Sequence, residues 1–167
     1  MLEQRDVLSM IDRMWFQLGC EVALPEPVES YMAPKGPLPA EYVDKRRHRR
    51  FHFRQKAILT RDGVHSAVYT KNIARRGIAF LAAQQLLPLE EVSLAMPTGD
   101  RVRLVVRRCR RLQEKCYECG AEIVSVSHEL DRQLVGLIAA LAAEAPDEAL
   151  AATGSPSAMQ RNAPAIA

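Results

Sequence analysis

The chain has 167 residues, of which 48% are hydrophobic and 26% are charged, a balance typical of a globular protein that folds around one core. No apolar run approaches the roughly 20 residues that span a bilayer, and the N-terminus lacks the layout of a secretory signal, so we expect a cytoplasmic protein. The net charge is only +3, but segments 45–54 and 101–111 each carry six Lys or Arg residues and no acid. Positive charge is therefore concentrated in two short stretches, which raises the question of which anion they serve.

The N-terminal segment, 1–19, predicts a short amphipathic helix. Its apolar residues gather on one helical face, and they are Val7, Leu8, Ile11, Met14, Trp15 and Leu18. The next segment, 20–43, holds five prolines, a density incompatible with helix interiors and central strands. We expect it to be a semi-extended, proline-rich linker, and the sequence leaves open whether the helix docks on the rest of the chain or on a partner.

Residues 44–144 predict a small β domain. From residue 51 onward apolar and polar residues alternate, with turn signals such as Asp62-Gly63 between the runs. Six strands are predicted, at 51–60, 64–72, 77–82, 92–96, 101–112 and 119–126. Short strands at this even spacing are typical of antiparallel barrels or sandwiches. We expect a mainly β fold, a six-stranded antiparallel β-barrel.

The end of the chain predicts a helix and a tail. Ser127 is a typical N-cap, and the apolar residues that follow it recur at helical spacing. We expect this C-terminal helix to cover one opening or face of the sheet. Segment 145–167 is rich in alanine, proline and small polar residues, so it cannot bury enough apolar surface to offset its ordering entropy. It is expected to be a disordered tail.

Two short motifs lie one predicted hairpin apart. The first, RRHRRF, contains Arg46 and Arg50, and the second, NIARRG, runs from Asn72 to Gly77. Antiparallel pairing of the first two strands would return Asn72 to the side of Arg50. We therefore expect both motifs to share one rim of the barrel.

These motifs resemble the signature of the PilZ domain family, small bacterial β-barrels that bind the second messenger cyclic di-GMP. The family pattern is Arg-x-x-x-Arg before the first strand and Asp/Asn-x-Ser-x-x-Gly one hairpin later. Here Arg46 and Arg50 match the first part, and Asn72 and Gly77 match the second, with Ala74 where serine is usual. The resemblance covers about residues 45–143 and implies that Arg46, Arg50, Asn72, Ala74 and Gly77 form a cyclic di-GMP site.

The chemistry of these residue types agrees with that ligand. The planar fork of arginine matches both phosphate oxygens and the O6/N7 edge of guanine, and its flat face stacks on purines. Neighbouring arginines are available for further phosphate or stacking contacts, and they are Arg47, Arg49, Arg75 and Arg76. Asn72 offers an acceptor and a donor, and Gly77 is expected to take the positive φ of a tight turn. Losing the serine hydroxyl at Ala74 should cost about 0.5 to 1.5 kcal/mol of binding free energy.

The expected function is a receptor or adaptor without catalytic residues or a resident cofactor. Ligand binding would pull the linker onto the barrel, reposition the N-terminal helix and pass the signal to an unidentified protein partner. One alternative is a degenerate member that only binds proteins, and another is a basic nucleic-acid-binding barrel. Arg101 to Arg111 alternates with apolar residues as a solvated strand face would, and few aromatic residues are present for base stacking.

The cysteines suggest neither a metal centre nor a redox motif of the thioredoxin type. Cys116 and Cys119 have the spacing of half a zinc site, but no second such pair exists. They are expected to precede a strand rather than open a helix, and buried or edge thiols are the better interpretation.

Overall fold

A computed structural model describes residues 2–39, 48–97, 99, 101–124 and 128–144, and it describes the side chains from residue 10 onward within them. The helices are α1 (Leu2–Leu18), α2 (Val28–Met32) and α3 (His128–Ala143). The strands are β1 (Phe51–His52), β2 (Lys56–Arg61), β3 (Val64–Ala74), β4 (Gly77–Ala82), β5 (Glu91–Ala95), β6 (Arg101–Gln113) and β7 (Cys116–Val124). The expectations for Arg46, Arg47, the Ser127 cap and the 145–167 tail lie outside the described residues.

Six strands close into an antiparallel barrel. They pair in the order β3–β2–β5–β6–β7–β4, and β4 pairs again with β3 to complete the ring. The two-residue strand β1 is added to β3. The predicted six-stranded barrel with a C-terminal helix and a short N-terminal helix is confirmed.

The barrel interior follows from the alternation in the sequence. In β6, Val102, Leu104 and Val106 are buried, whereas Arg101 and Arg103, which alternate with them, are exposed. Asp62 and Gly63 both have positive φ, 49° and 75°, as a two-residue hairpin turn of the primed kind requires. The hairpin β2–β3 therefore forms where the sequence predicted it.

The first predicted strand, 51–60, is wrong as a continuous strand, because the chain leaves the ladder at residues 53–55. Phe53 N and Gln55 O keep backbone partners in β3. The other two backbone groups bind the side chain of Thr70, which is fully buried: its Oγ1 donates to Phe53 O at 2.5 Å and accepts from Gln55 N at 2.9 Å. A β-bulge in β3 lies beside it, between Thr70 and Asn72. A side-chain hydroxyl thus divides one strand into β1 and β2.

The N-terminal helix docks on the outer face of the barrel. Ile11 and Trp15 are each 6% exposed, and the Trp15 Nε1–H donates to Val68 O at 3.0 Å. They pack on outward-facing residues of β2 and β3 such as Ile58 and Tyr69. The structure thereby places α1 on this chain.

The linker also packs on the barrel, and the expectation of a semi-extended segment is wrong at α2. Pro27 precedes the helix, where a missing backbone N–H leaves no helical hydrogen bond unmade. Tyr31 is 1% exposed, its hydroxyl donates to Thr70 O at 2.8 Å, and the guanidinium of Arg54 lies 4.4 Å from its ring centroid. The buried Tyr31 therefore holds this turn of helix against the barrel.

Helix α3 completes the core. Leu134 and Leu141 are buried in the same cluster as the barrel interior, and Leu137 and Ile138 pack against it. Within the described parts of the chain, no helix is long and apolar enough to cross a membrane.

Candidate functional site

The β1–β3 ladder brings the first motif to the second. Phe51 pairs with Ile73 and His52 with Asn72, so Arg50 continues the register toward Ala74. The Arg50 Nη1–H donates to Asn72 Oδ1 at 3.3 Å across 22 positions of sequence. Asn72 is 7% exposed, so its carboxamide is a fixed part of the rim.

The second motif forms the tight connection between β3 and β4. Ala74 pairs directly with Gly77, and Arg75 and Arg76 form the two-residue turn. The expectation of a positive φ at Gly77 is wrong, because the described glycines with positive φ are Gly19, Gly36, Gly63 and Gly99. Space at this position is tight instead: a Cβ at Gly77 would lie 3.3 Å from the Ala121 carbonyl oxygen, so a larger residue would press on the β7 backbone.

A shallow pocket of about 280 Å³ opens beside these residues. Its basic lining consists of four arginines and one histidine, which are Arg50, Arg76, Arg107, Arg108 and His48. The remaining lining is largely small, with Ala74, Gly77, Gly120 and Ala121, and Glu122 is its acidic residue. Small side chains next to several guanidiniums leave room for a flat anionic ligand.

The charges around the pocket are unevenly matched. Glu122 accepts from Arg107 Nε at 2.9 Å and lies 2.6 Å from its Nη2, so that guanidinium is neutralised. Neither Arg76 nor Arg108 forms an ion pair with any residue that the structure describes. These two arginines are the ones most open to an added anion.

The predicted site residues divide into two groups. Arg50, Ala74, Arg76 and Gly77 line the pocket, and Asn72 binds Arg50 at its edge. Arg75 instead points toward α3, where its Nη2 lies 3.5 Å from Asp131 Oδ2. Arg49 is exposed and does not line the pocket.

The sequence interpretation missed the contribution of β6 and β7. Arg107 and Arg108 belong to the basic stretch whose alternation indicates a solvated face, and the β4–β7–β6 pairing carries them to the motif. Arg108 pairs with Gly120, and its Cγ and Nε lie 3.3 Å from where a Cβ of that glycine would be. The sequence does contain both residues of this pair, an arginine and a glycine. Only the strand register shows that they lie opposite each other.

A second group of polar side chains consists of His52 of β1, Lys71 of β3 and Glu118 of β7, and the first two lie next to Asn72 in the sheet. Burial lowers the pKa of His52, and the charges of Arg54 and Lys71 lower it further. Lys71 forms an ion pair with Glu118 of β7. Burial alone would raise the pKa of Glu118, but Lys71, Arg110 and Arg108 bring the net shift downward.

The cysteines of β7 are buried, as predicted. Cys116 and Cys119 are both fully inaccessible, although β7 begins at Cys116 and so includes them, contrary to the expectation that they precede the strand. All four cysteines are free thiols. In the described parts of the chain, no three His, Cys, Asp or Glu side chains are grouped to hold a metal ion.

Comparison with known proteins identifies the fold family. The family model of the PilZ domain matches residues 44–140. The chain belongs to the PilZ domain family. Domains of this family are binding and regulatory modules. No curated protein matches the chain.

Solved structures share this PilZ fold at low sequence identity. The Bacillus subtilis inhibitor of motility MotI/DgrA is 15% identical with a TM-score of 0.51, over 62% of this chain and 54% of that protein. Escherichia coli YcgR in complex with c-di-GMP is 16% identical with a TM-score of 0.51, over 70% of this chain and 61% of that one. The PilZ chain thus spans little more than half the length of these proteins, and the likeness concerns the fold.

Proposed function

We propose that this PilZ domain is a receptor for cyclic di-GMP. The observation that carries the proposal is the Arg50–Asn72 contact at the edge of a basic pocket with a small-residue floor. It unites the two halves of the family motif on one rim. Escherichia coli YcgR, which shares the fold, was solved in complex with the same ligand.

The chemistry of the ligand suits the pocket. Cyclic di-GMP presents two phosphates and two guanines, and a guanidinium binds both phosphate oxygens and the O6/N7 edge of guanine with paired hydrogen bonds. Arg50, Arg76 and Arg108 line the pocket and supply guanidiniums to it. The volume of about 280 Å³ is close to the lower end of ordinary ligand pockets. In the proposal Arg46 adds a further guanidinium from the segment before β1.

The route from ligand to linker begins at Arg50. Leu38 N donates to Arg50 O and His52 N donates to Gly36 O, each at 2.9 Å, so residues 36–38 form a short ladder around Phe51. The structure already holds this segment on the barrel, which changes the expected mechanism. We infer that the ligand alters an existing contact rather than creating one, and that α2 and α1 carry the change to a protein partner in the cytoplasm.

Substitution of Arg50 tests the site. Arg50→Ala should lower cyclic di-GMP affinity by roughly ten- to a hundredfold or more, because a hydrogen bond to a charged group contributes about 1.5 to 3 kcal/mol. Titration calorimetry measures the affinity. Arg49→Ala is the matched control, since Arg49 is adjacent and exposed, and it should bind nearly as the unaltered protein does.

Equal heats for the two variants would reject this site. Absence of binding to the unaltered protein at millimolar ligand would favour the degenerate, protein-binding alternative. Tight binding of DNA or RNA of any sequence, with an affinity that falls steeply with salt, would favour the nucleic-acid alternative.

Restoring the family serine tests the contribution of the β3–β4 turn. Ala74→Ser should tighten binding severalfold, because one recovered hydrogen bond contributes about 0.5 to 1.5 kcal/mol. Ala74 lines the pocket and is 6% exposed, so the added hydroxyl lies at its floor. Titration of both proteins under one buffer measures the ratio. An unchanged affinity would show that the turn makes no side-chain contact with the ligand.

A further inference from the structure

We propose that Cys109 and Cys119 are a redox modification site that closes reversibly into a disulfide between β6 and β7. The substrate class is a low-molecular-weight disulfide such as oxidised glutathione. This proposal stands apart from the proposed ligand, since it depends on the two thiols alone.

The geometry of the ladder favours the bond. Cys109 and Cys119 are direct partners in the β6–β7 register, and their sulfur atoms lie 3.2 Å apart. Directly opposed residues of antiparallel strands have Cα atoms about 4.5 to 5.5 Å apart, which lies within the range that a disulfide accepts. The sulfur atoms therefore need to approach by only about 1.2 Å to reach the bonded distance of about 2.0 Å.

The rest of the thiols lack this arrangement. Cys20, which follows α1, donates to Ala67 O at 3.5 Å, and Cys116 is paired in the ladder with Gln113. Among the described residues the Cys109–Cys119 pair is the one in which two sulfur atoms meet.

The two thiols differ in access, and this sets the order of the chemistry. Cys109 is half-buried, and its sulfur accepts the N–H of Leu86 at 3.4 Å, whereas Cys119 is fully buried. Burial raises the pKa of the Cys119 thiol, and its neighbour Cys109 raises it further. Cys109 is therefore the thiol that meets the small disulfide.

The reaction proceeds by two thiol–disulfide exchanges. The Cys109 thiolate attacks one sulfur of the small disulfide, forming a mixed disulfide and releasing one small thiol. The sulfur of Cys119 then attacks the Cys109 sulfur, which breaks the mixed disulfide, and the proton of Cys119 passes to the departing sulfur, so that the second small molecule leaves as a thiol. Two protein thiols are oxidised to one disulfide while one small disulfide is reduced to two thiols.

The cross-link would act beside the basic pocket. The neighbouring pair in the same ladder is Arg108 with Gly120, and a β-bulge separates Arg108 from Val106. Joining the next residues covalently would hold the segment of β6 that carries Arg108 in its present register. The modification thus fixes a part of the molecule that lines the pocket.

Thiol counting tests the proposal on the full chain. The purified protein is treated with oxidised glutathione, unfolded, and alkylated with N-ethylmaleimide, and adducts are counted by mass spectrometry. After treatment we expect adducts on Cys20 and Cys116 only, and adducts on all four cysteines once dithiothreitol has been added. Four adducts after oxidation, or a linkage that involves Cys20 or Cys116, would overturn the proposal.

Single substitutions separate the two roles. Cys119→Ala should trap glutathione on Cys109, because the thiol that resolves the mixed disulfide is gone. Cys109→Ala should take up none on Cys119, which is buried. Circular dichroism verifies that each variant folds. If Cys119→Ala does not fold, Cys20→Ser serves instead, and it should still form the disulfide; failure to do so would contradict the proposal.

Discussion

At the scale of single residues, His52 links pH to stability. Its Nδ1 is buried and has no hydrogen-bond partner in the described structure, and its pKa is lowered from 6.5 by burial, Arg54 and Lys71. Because the unfolded chain binds the proton more tightly, the stability from neutral His52 is present above about pH 6.5 and is lost as the pH falls through its folded pKa.

His52→Gln should remove this loss. Urea unfolding near pH 7.5 and near pH 5.5 should show a smaller drop in the free energy of unfolding for the variant than for the unaltered protein. Glu118 affects the free energy of unfolding in a lower pH range, because its pKa is lowered from 4.5. An equal drop in both proteins would show that His52 does not carry the effect.

At the scale of secondary-structure elements, α1 depends on one aromatic anchor. Trp15 is 6% exposed, contacts Tyr69 with ring centroids 5.2 Å apart and donates to Val68 O. Trp15→Ala should lower the free energy of unfolding of the docked helix by about 3 to 5 kcal/mol. Circular dichroism in urea measures it, since the substitution removes the single tryptophan.

Phe16 provides the matched control for the helix. It is 65% exposed and lies beside Lys56, so Phe16→Ala should cost less than about 1 kcal/mol. Similar losses in the two variants would mean that helix formation rather than docking limits the stability of α1.

At the scale of the whole molecule, the ladder of residues 36–38 connects the pocket to both N-terminal helices. If cyclic di-GMP binds at Arg50, amide hydrogen exchange at His52 and Leu38 should slow, because their N–H groups are bonded on either side of Phe51. Amides of β5, which lies apart from this ladder, should be unaffected. Unchanged exchange at His52 and Leu38 in the saturated protein would show that the linker does not respond to the ligand.

The barrel itself was predictable because its determinants are local. Alternating apolar residues, the Asp62-Gly63 turn and the one-hairpin spacing of Arg50 and Asn72 all act over a few residues or one pair of strands. The same signals predicted α3 from its apolar stripe. The predicted β2–β3 hairpin also places the two halves of the motif on one rim of the barrel.

The remaining features depend on contacts between distant segments. Thr70 breaks the first strand from the opposite side of a ladder, Ala121 of β7 limits the space at position 77, and Arg108 reaches the pocket through two further strand pairings. Local patterns determine which strands form, because side-chain alternation is a property of each strand. Tertiary structure decides which arginines meet, because the register between strands distant in sequence is set by the packing of the whole barrel.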